Sequence, residues 1–196
     1  METKRERAKP LSPEERRAAI ITATRPLLME HGRRTTAKLV AEAAGIAEGT
    51  IFRVFPTKEE LFDAVLDAEF DPGPFLEAID RIDLDQPLRD RMIAVTTLLQ
   101  RRFMSIFQLM IAMAVPRPPG RLQTDEVRKR LANEGLMRVI GPDADQFRMP
   151  AEEVVRLLRL LTFSGSHPHI SEQRPMKPAF IVDVILHGTL AREGED

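Results

Sequence analysis

A chain of 196 residues with 43% apolar and 30% charged side chains can build a sizeable core, and its formal net charge of −1 excludes a uniformly basic nucleic-acid coat. The absence of cysteine excludes a disulfide framework, a thiolate zinc site and a thiol nucleophile. The longest unbroken apolar run, Leu109 to Val115, falls far short of the roughly 20 residues that cross a bilayer. The charged opening Met1-Glu2-Thr3-Lys4-Arg5-Glu6-Arg7 is unlike an export signal, so no membrane partner and a cytoplasmic location are expected.

Charge is unevenly shared along the chain. Residues 1 to 58 hold 12 Lys/Arg against 7 Asp/Glu, and the remainder holds 17 against 23. A basic head on an acidic body concentrates attraction for anions at one end. Apolar stripes of period 3.6 recur throughout and strand-type alternation does not, which predicts an all-α protein of about nine helices.

The first helix is announced by Ser12-Pro13-Glu14-Glu15: a serine N-cap, a proline at the first helical position and a glutamate able to close a capping box. Gly32 is its stop, and Ile20, Ala23, Leu27 and Leu28 form its apolar face. Pro26 falls inside this helix and is expected to kink it. A second helix runs from Thr36 as N-cap to Ala44 with Gly45 as stop, a third from about Ala47 to Phe55, and a fourth from Thr57, where Thr57-Lys58-Glu59-Glu60 repeats the capping signature. Further helices are expected over residues 74 to 82, 87 to 115, 124 to 140, 150 to 164 and 178 to 191, with residues 166 to 177 as a loop.

The stretch from Thr35 to Leu61 places two short helices around a tight glycine turn, the spacing of a helix-turn-helix. On the third helix Ile51, Val54 and Phe55 share the packed side. Gly49 and Arg53 then face outward, flanked by Thr50 and Phe52, which are groove-facing groups. A glycine in so short a helix costs about 1 kcal/mol against alanine, and close approach of backbone to DNA is one reason to accept it.

The string Thr35-Thr36-Ala37-Lys38-Leu39-Val40-Ala41-Glu42-Ala43-Ala44-Gly45-Ile46-Ala47-Glu48-Gly49-Thr50-Ile51-Phe52-Arg53-Val54-Phe55-Pro56-Thr57-Lys58-Glu59-Glu60-Leu61 closely resembles the TetR family of bacterial transcriptional regulators. The resemblance covers roughly a quarter of the chain. It implies a DNA-binding domain over 1–60 with a basic N-terminal arm, and a helical effector-binding and dimerisation domain over 61–196. By the same resemblance, Thr36 caps the second helix against a phosphate, Lys38 lies along the backbone, and Lys58 pins a second phosphate. Ala47, Glu48, Gly49, Thr50 and Arg53 present the base-reading surface, with Arg53 suited to guanine and Thr50 to a thymine methyl or a hydroxyl contact. Glu48 either accepts from cytosine N4 or partners the helix dipole. Phe52 stands where the family usually has tyrosine, so a phenolic bond to phosphate is missing. The arm residues Lys4, Arg5, Arg7 and Lys9, with Arg33 and Arg34, either supply extra phosphate contacts or form a solvated surface.

In the body, residues 87 to 115 read as one long helix, apolar nearly all round in its second half from Phe103 to Met113, and therefore buried on every side. It carries Met92, Met104, Met110 and Met113, flexible side chains that suit either plain core or an adaptable pocket. With the family's precedent, a small apolar or amphipathic effector is expected against Met92, Phe103, Phe107, Met110 and Leu158. The last two helices carry two apolar faces each. One serves the core; the other is read as half of a two-fold interface, with Val155, Leu158, Phe180, Ile181, Val184, Ile185 and Gly188 as its candidates. His167, His169 and His187 lack an acidic pair at ligand spacing, and Ser164 and Ser166 lack an orienting acid, so no metal, no other cofactor and no catalysis are expected. The implied function is a sequence-specific repressor, a homodimer on double-stranded DNA, controlled by a small effector. A regulator of the same fold without a ligand, and a helical enzyme or scaffold with a helix-turn-helix-like corner, stay open as alternatives.

Overall fold

A computed structural model of the chain describes residues 11–119 and 135–189. Among the described residues it is helical, without an extended strand, in agreement with the all-α expectation. We number the helices α1 (Pro13–His31), α2 (Ala37–Ala44), α3 (Glu48–Val54), α4 (Lys58–Phe70), α5 (Gly73–Asp80), α6 (Leu88–Ala112), α7 (Met137–Ile140), α8 (Ala151–Ser166) and α9 (Pro178–Thr189). The helix expected over 124 to 140 lies mostly outside the described residues; its last turn is α7. The basic arm, Lys4 to Lys9, also lies outside them.

The chain forms two compact units. One holds the residues up to Glu69 together with Ala112–Ala114, and the other holds Phe70–Ile111 and the residues from Val115 onward. In the first, α1 starts as its sequence dictates. The Ser12 hydroxyl accepts from the Glu15 amide at 3.1 Å, and the Glu15 carboxylate accepts from the Ser12 amide at 2.7 Å. Its buried line is Ile20, Thr24 and Leu28, one every fourth residue, with Ala23 and Leu27 only half-buried. Thr24 is tolerated there because its hydroxyl donates to the Ile20 carbonyl at 2.7 Å, leaving only its methyl to pack. The helix runs unbroken through Pro26. Pro26 and Thr22 are both exposed, so the Thr22 carbonyl deprived of its intrahelical donor lies on the wet side, where water replaces the bond.

Helix α2 is capped by the Thr36 hydroxyl, which accepts from the Leu39 amide at 3.3 Å, and it ends at Gly45 in the left-handed region with φ 66°. Helix α4 begins with the Thr57 hydroxyl accepting from the Glu60 amide at 3.1 Å and buries Leu61, Phe62, Val65 and Leu66. Its far end is tied back within the unit by an ion pair of 2.7 Å between Glu69 and Arg25.

In the second unit, Met92, Val95 and Leu99 of α6 share a core with Phe75 and Ile79 of α5, Val139 and Ile140 of α7, Val154, Val155 and Leu158 of α8, and Ile181, Val182 and Ile185 of α9. Arg91 is buried too, and donates to the Val139 carbonyl at 3.0 Å and to Asp143. Two sequence expectations for α6 are corrected. It stops at Ala112, three residues short of Val115: Ala114 adopts φ 53° and the Val115 amide donates to the Met110 carbonyl at 2.8 Å, a left-handed stop without glycine. Its second half is also not covered on every side. Ile106, Phe107, Leu109, Met110 and Met113 are buried, whereas Ile111 is 57% exposed and Phe103 and Met104 are half-buried.

A fork-to-fork pair joins α6 to α9, with Arg89 donating to the two oxygens of Asp183 at 2.7 and 3.0 Å. Those hydrogen bonds, assisted by the arginine charge, hold the Asp183 carboxyl below its ordinary range. A carboxyl depressed on folding stabilises above its unfolded pKa of about 4, and that contribution is lost as pH falls through the lower folded value. Asp183→Asn is therefore expected to lower stability modestly at neutral pH in urea titrations and to flatten its fall below pH 4, so that variant and wild type converge in strong acid.

Candidate nucleic-acid interface

The interface is built on the core of the first unit. Val40 and Ala41 of α2, Ile51 of α3 and Phe55 just after it are all buried, as are Ile20 and Leu28 of α1. The turn between α2 and α3 is tightened by the Ile46 amide donating to the Ala41 carbonyl at 3.0 Å. Ile51 and Phe55 anchor α3 by one side, as the sequence spacing requires, and each buried side chain of this size contributes roughly 1.5 to 3 kcal/mol. The opposite side is left in solvent.

On that outer surface Ala47, Glu48, Gly49, Phe52 and Arg53 are exposed and Thr50 is half-buried. Thr36 and Lys38 on α2 are exposed as well. The turn Gly32–Arg34 presents Arg33 and Arg34 to solvent. Glu48 lies in the first turn of α3, and Ala47 is its N-cap residue without a side-chain bond. Among the described residues Arg53 has no ion-pair partner, so its guanidinium is uncommitted there. Lys58 is held differently: its ammonium donates to the Arg33 carbonyl at 3.2 Å and sits 5.4 Å from the centre of the Phe62 ring. An ammonium has three protons, and one bond to a carbonyl leaves two for a phosphate.

Sequence reasoning missed what fixes this surface from behind. The Arg17 guanidinium stacks over Phe55, 4.4 Å from the ring centre. The buried Thr35 hydroxyl lies 2.8 Å from the Gly32 carbonyl and 3.0 Å from that of Leu27, and so locks the end of α1 to the start of α2. Neither contact has a local sequence signal.

In the second unit the residues read as an effector pocket sit in or against the core. Met92 and Leu158 are fully buried, Phe107 and Met110 are 9% exposed, and Phe103 is half-buried. Phe103, Phe107 and Phe163 form one aromatic cluster with ring centres 5.1 to 6.1 Å apart, and His167 packs on Phe107 at 4.7 Å. The residues read as an interface separate into two sets. Val155, Leu158, Ile181 and Ile185 are buried inside the protomer and have no surface to offer, while Phe180, Val184 and Gly188 are exposed. Leu157, Leu160 and Phe163 on α8 are exposed beside them in the sequence pattern. His169 and His187 are exposed, and among the described residues no group of three or more His, Asp or Glu side chains is arranged to hold a metal ion. Ser166 spends its hydroxyl on the Thr162 carbonyl at 2.5 Å.

The geometry defines a helix-turn-helix, followed in sequence by an all-helical body. Residues 20–65 match the model of bacterial regulatory proteins of the tetR family. Among solved structures, a transcriptional regulator of Rhodococcus sp. Rha1 superposes with a TM-score of 0.59 at 21% identity, covering 93% of this chain and 100% of its own. A TetR transcriptional regulator of Streptomyces coelicolor gives 0.55 at 19% identity, covering 90% and 99%. The transcriptional regulator FadR of Bacillus subtilis, solved with stearoyl-CoA, gives 0.57 at 15%, covering 87% and 95%. No curated protein matches the sequence. The match to the tetR family thus lies within residues 20–65, and the chain has the fold of solved TetR transcriptional regulators. No described helix is long and apolar enough to cross a membrane.

Proposed function

We propose that the protein is a sequence-specific transcriptional repressor that binds a near-palindromic operator as a homodimer and is released from it by a small effector. The observation that carries this reading is the outer side of α3, where an uncommitted Arg53 stands among exposed Gly49, Phe52 and Glu48 on a helix anchored only from behind. Two such helices, one from each protomer, enter successive major grooves about 34 Å apart. Arg53 reads guanine through a bidentate pair; Thr36, Lys38 and Lys58 engage phosphates and set the register. Release follows when an effector binds one conformation of the body better than the one whose helix spacing fits the operator.

The effector is proposed to be apolar or amphipathic and to lodge against Met92, Phe103, Phe107, Met110 and Leu158. Support comes from the thioether and aromatic character of these side chains and from the FadR neighbour, which was solved with stearoyl-CoA. The cytoplasm is the proposed location, since the operator is there.

Selection from random duplex DNA followed by titration tests the DNA-binding assignment. Arg53→Ala is expected to cost roughly 1 to 3 kcal/mol on the selected sequence and to relax preference at one base position, whereas Lys58→Ala weakens all sequences alike and lowers the salt slope by about one. Equal losses on every sequence for both variants would refute the roles given to them.

A further inference from the structure

Phe107 and Phe163 belong to no part of the core that Met92 and Leu158 share, and Phe103 only borders it. With His167 they form a separate aromatic group within the second unit. Phe103 and Phe107 lie one turn apart on α6 with their planes 18° from parallel, and Phe163 of α8 meets both near a right angle, at 84° and 80°. Such perpendicular contacts set a ring edge against a π-face, the arrangement aromatic rings favour. Phe163 is 39% exposed, and Phe103 and His167 are half-buried, so the group reaches solvent. Among the described residues three buried side-chain polar atoms lack a hydrogen-bond partner: Arg91 Nε, Thr96 Oγ1 and His167 Nδ1. Arg91 and Thr96 are themselves buried, whereas the His167 ring is partly open and packs on Phe107. A polar atom cut off from water and bonded to nothing is costly, and the partner it lacks is one that a ligand can bring. The backbone beneath the imidazole is fixed, since the His167 amide donates to the Ser164 carbonyl at 3.3 Å and its carbonyl accepts from the Ser171 amide at 2.9 Å.

We propose that Phe103, Phe107, Phe163 and His167 form the recognition end of the effector site, and that it takes a planar hydroxy-aromatic compound. This site rests on the effector control proposed above and gives it a ligand class; of the five residues named there, Phe103 and Phe107 belong to this end. Phe163 stands edge-on to both α6 rings, as the ring of an aromatic guest would, and it has solvent beside it into which it can turn. A guest ring then exchanges one set of perpendicular contacts for another, whereas an alkyl chain gains contact area alone. A hydroxyl on the edge of the guest suits the orphaned nitrogen, because it can donate to an unprotonated Nδ1 or accept from a protonated one. A carboxylate could only accept.

The test titrates the full chain by calorimetry with 2-naphthol, with naphthalene, which lacks only the hydroxyl, and with 1-octanol, an alkyl alcohol. 2-Naphthol is expected to bind roughly 3- to 10-fold tighter than naphthalene, as one net hydrogen bond allows, and 1-octanol to bind weakest. His167→Phe keeps a ring and removes the nitrogen, so it binds naphthalene as wild type does while its preference for 2-naphthol falls within twofold. Phe107→Leu weakens both aromatic probes alike. The site is overturned if 2-naphthol gains less than twofold over naphthalene, if His167→Phe keeps the preference, if 1-octanol matches 2-naphthol, or if none of the three binds. Operator affinity, read in the same samples, separates the two readings. Binding of 2-naphthol that leaves operator affinity unchanged would overturn effector control while the aromatic site stands. Release of the operator by 1-octanol but not by 2-naphthol would keep effector control and remove this site.

Discussion

Gly32→Ala is expected to lower the melting temperature by about 10 °C, the largest loss of stability from a single methyl group in this chain. Gly32 ends α1 with φ 57° and ψ −141°, a region that residues with a Cβ hardly enter, and occupying it costs of order 1 to 3 kcal/mol. The added carbon would also stand 2.4 Å from the Ala112 carbonyl oxygen, inside the same compact unit. A flexible side chain would move away from such a contact; a backbone carbonyl cannot do so without dragging its helix end. The two penalties together come to about 3 kcal/mol or more, and at roughly 2 to 4 °C per kcal/mol for a protein of this size the shift follows. A calorimetric melt within about 2 °C of wild type would show that the end of α1 relaxes freely. Gly49 makes the contrast, since alanine there meets open space and ordinary φ, so the same substitution changes sign.

The contrast also shows what the sequence could and could not reveal. Helix ends set by neighbours three or four residues away were legible: Ser12 with Glu15, Thr36, Gly45, and Thr57 with Glu60 all cap where their side chains require. The packed side of α3 was legible for the same reason, because Ile51 and Phe55 obey a local period. Partnerships across the chain were not. Arg25 finds Glu69 and Arg17 finds Phe55, and nothing near either arginine specifies a partner so distant in sequence. The end of α6 was misplaced because Ala114 takes a left-handed conformation that glycine or asparagine usually signals. On α8 and α9 the period gave two apolar faces without saying which was inside. That choice belongs to α5, α6 and α7, which supply the rest of the core.

With the inward face assigned, the outward one yields the second large effect. Phe180 and Val184 are 55% and 45% exposed on one side of α9, and Leu157 and Leu160 are 37% and 48% exposed on α8, which packs against it. Apolar surface grouped on two adjacent helices is rare on a monomer, and a two-fold axis would bury it against its own copy. Replacing Phe180 and Val184 together by glutamate is expected to give a folded monomer in analytical ultracentrifugation, because neither side chain supports the protomer core. Ile181→Glu, one residue along and fully buried, is expected to unfold the body instead. The monomer still presents one α3 to one half-site but loses the effective concentration that couples the second, so operator affinity should fall on the order of 100-fold or more while a single half-site is bound as before. If the double variant remains dimeric, the two-fold contact lies elsewhere. If it becomes monomeric yet keeps full operator affinity, the paired-helix mechanism is wrong, since the spacing between two α3 helices would then carry no energy.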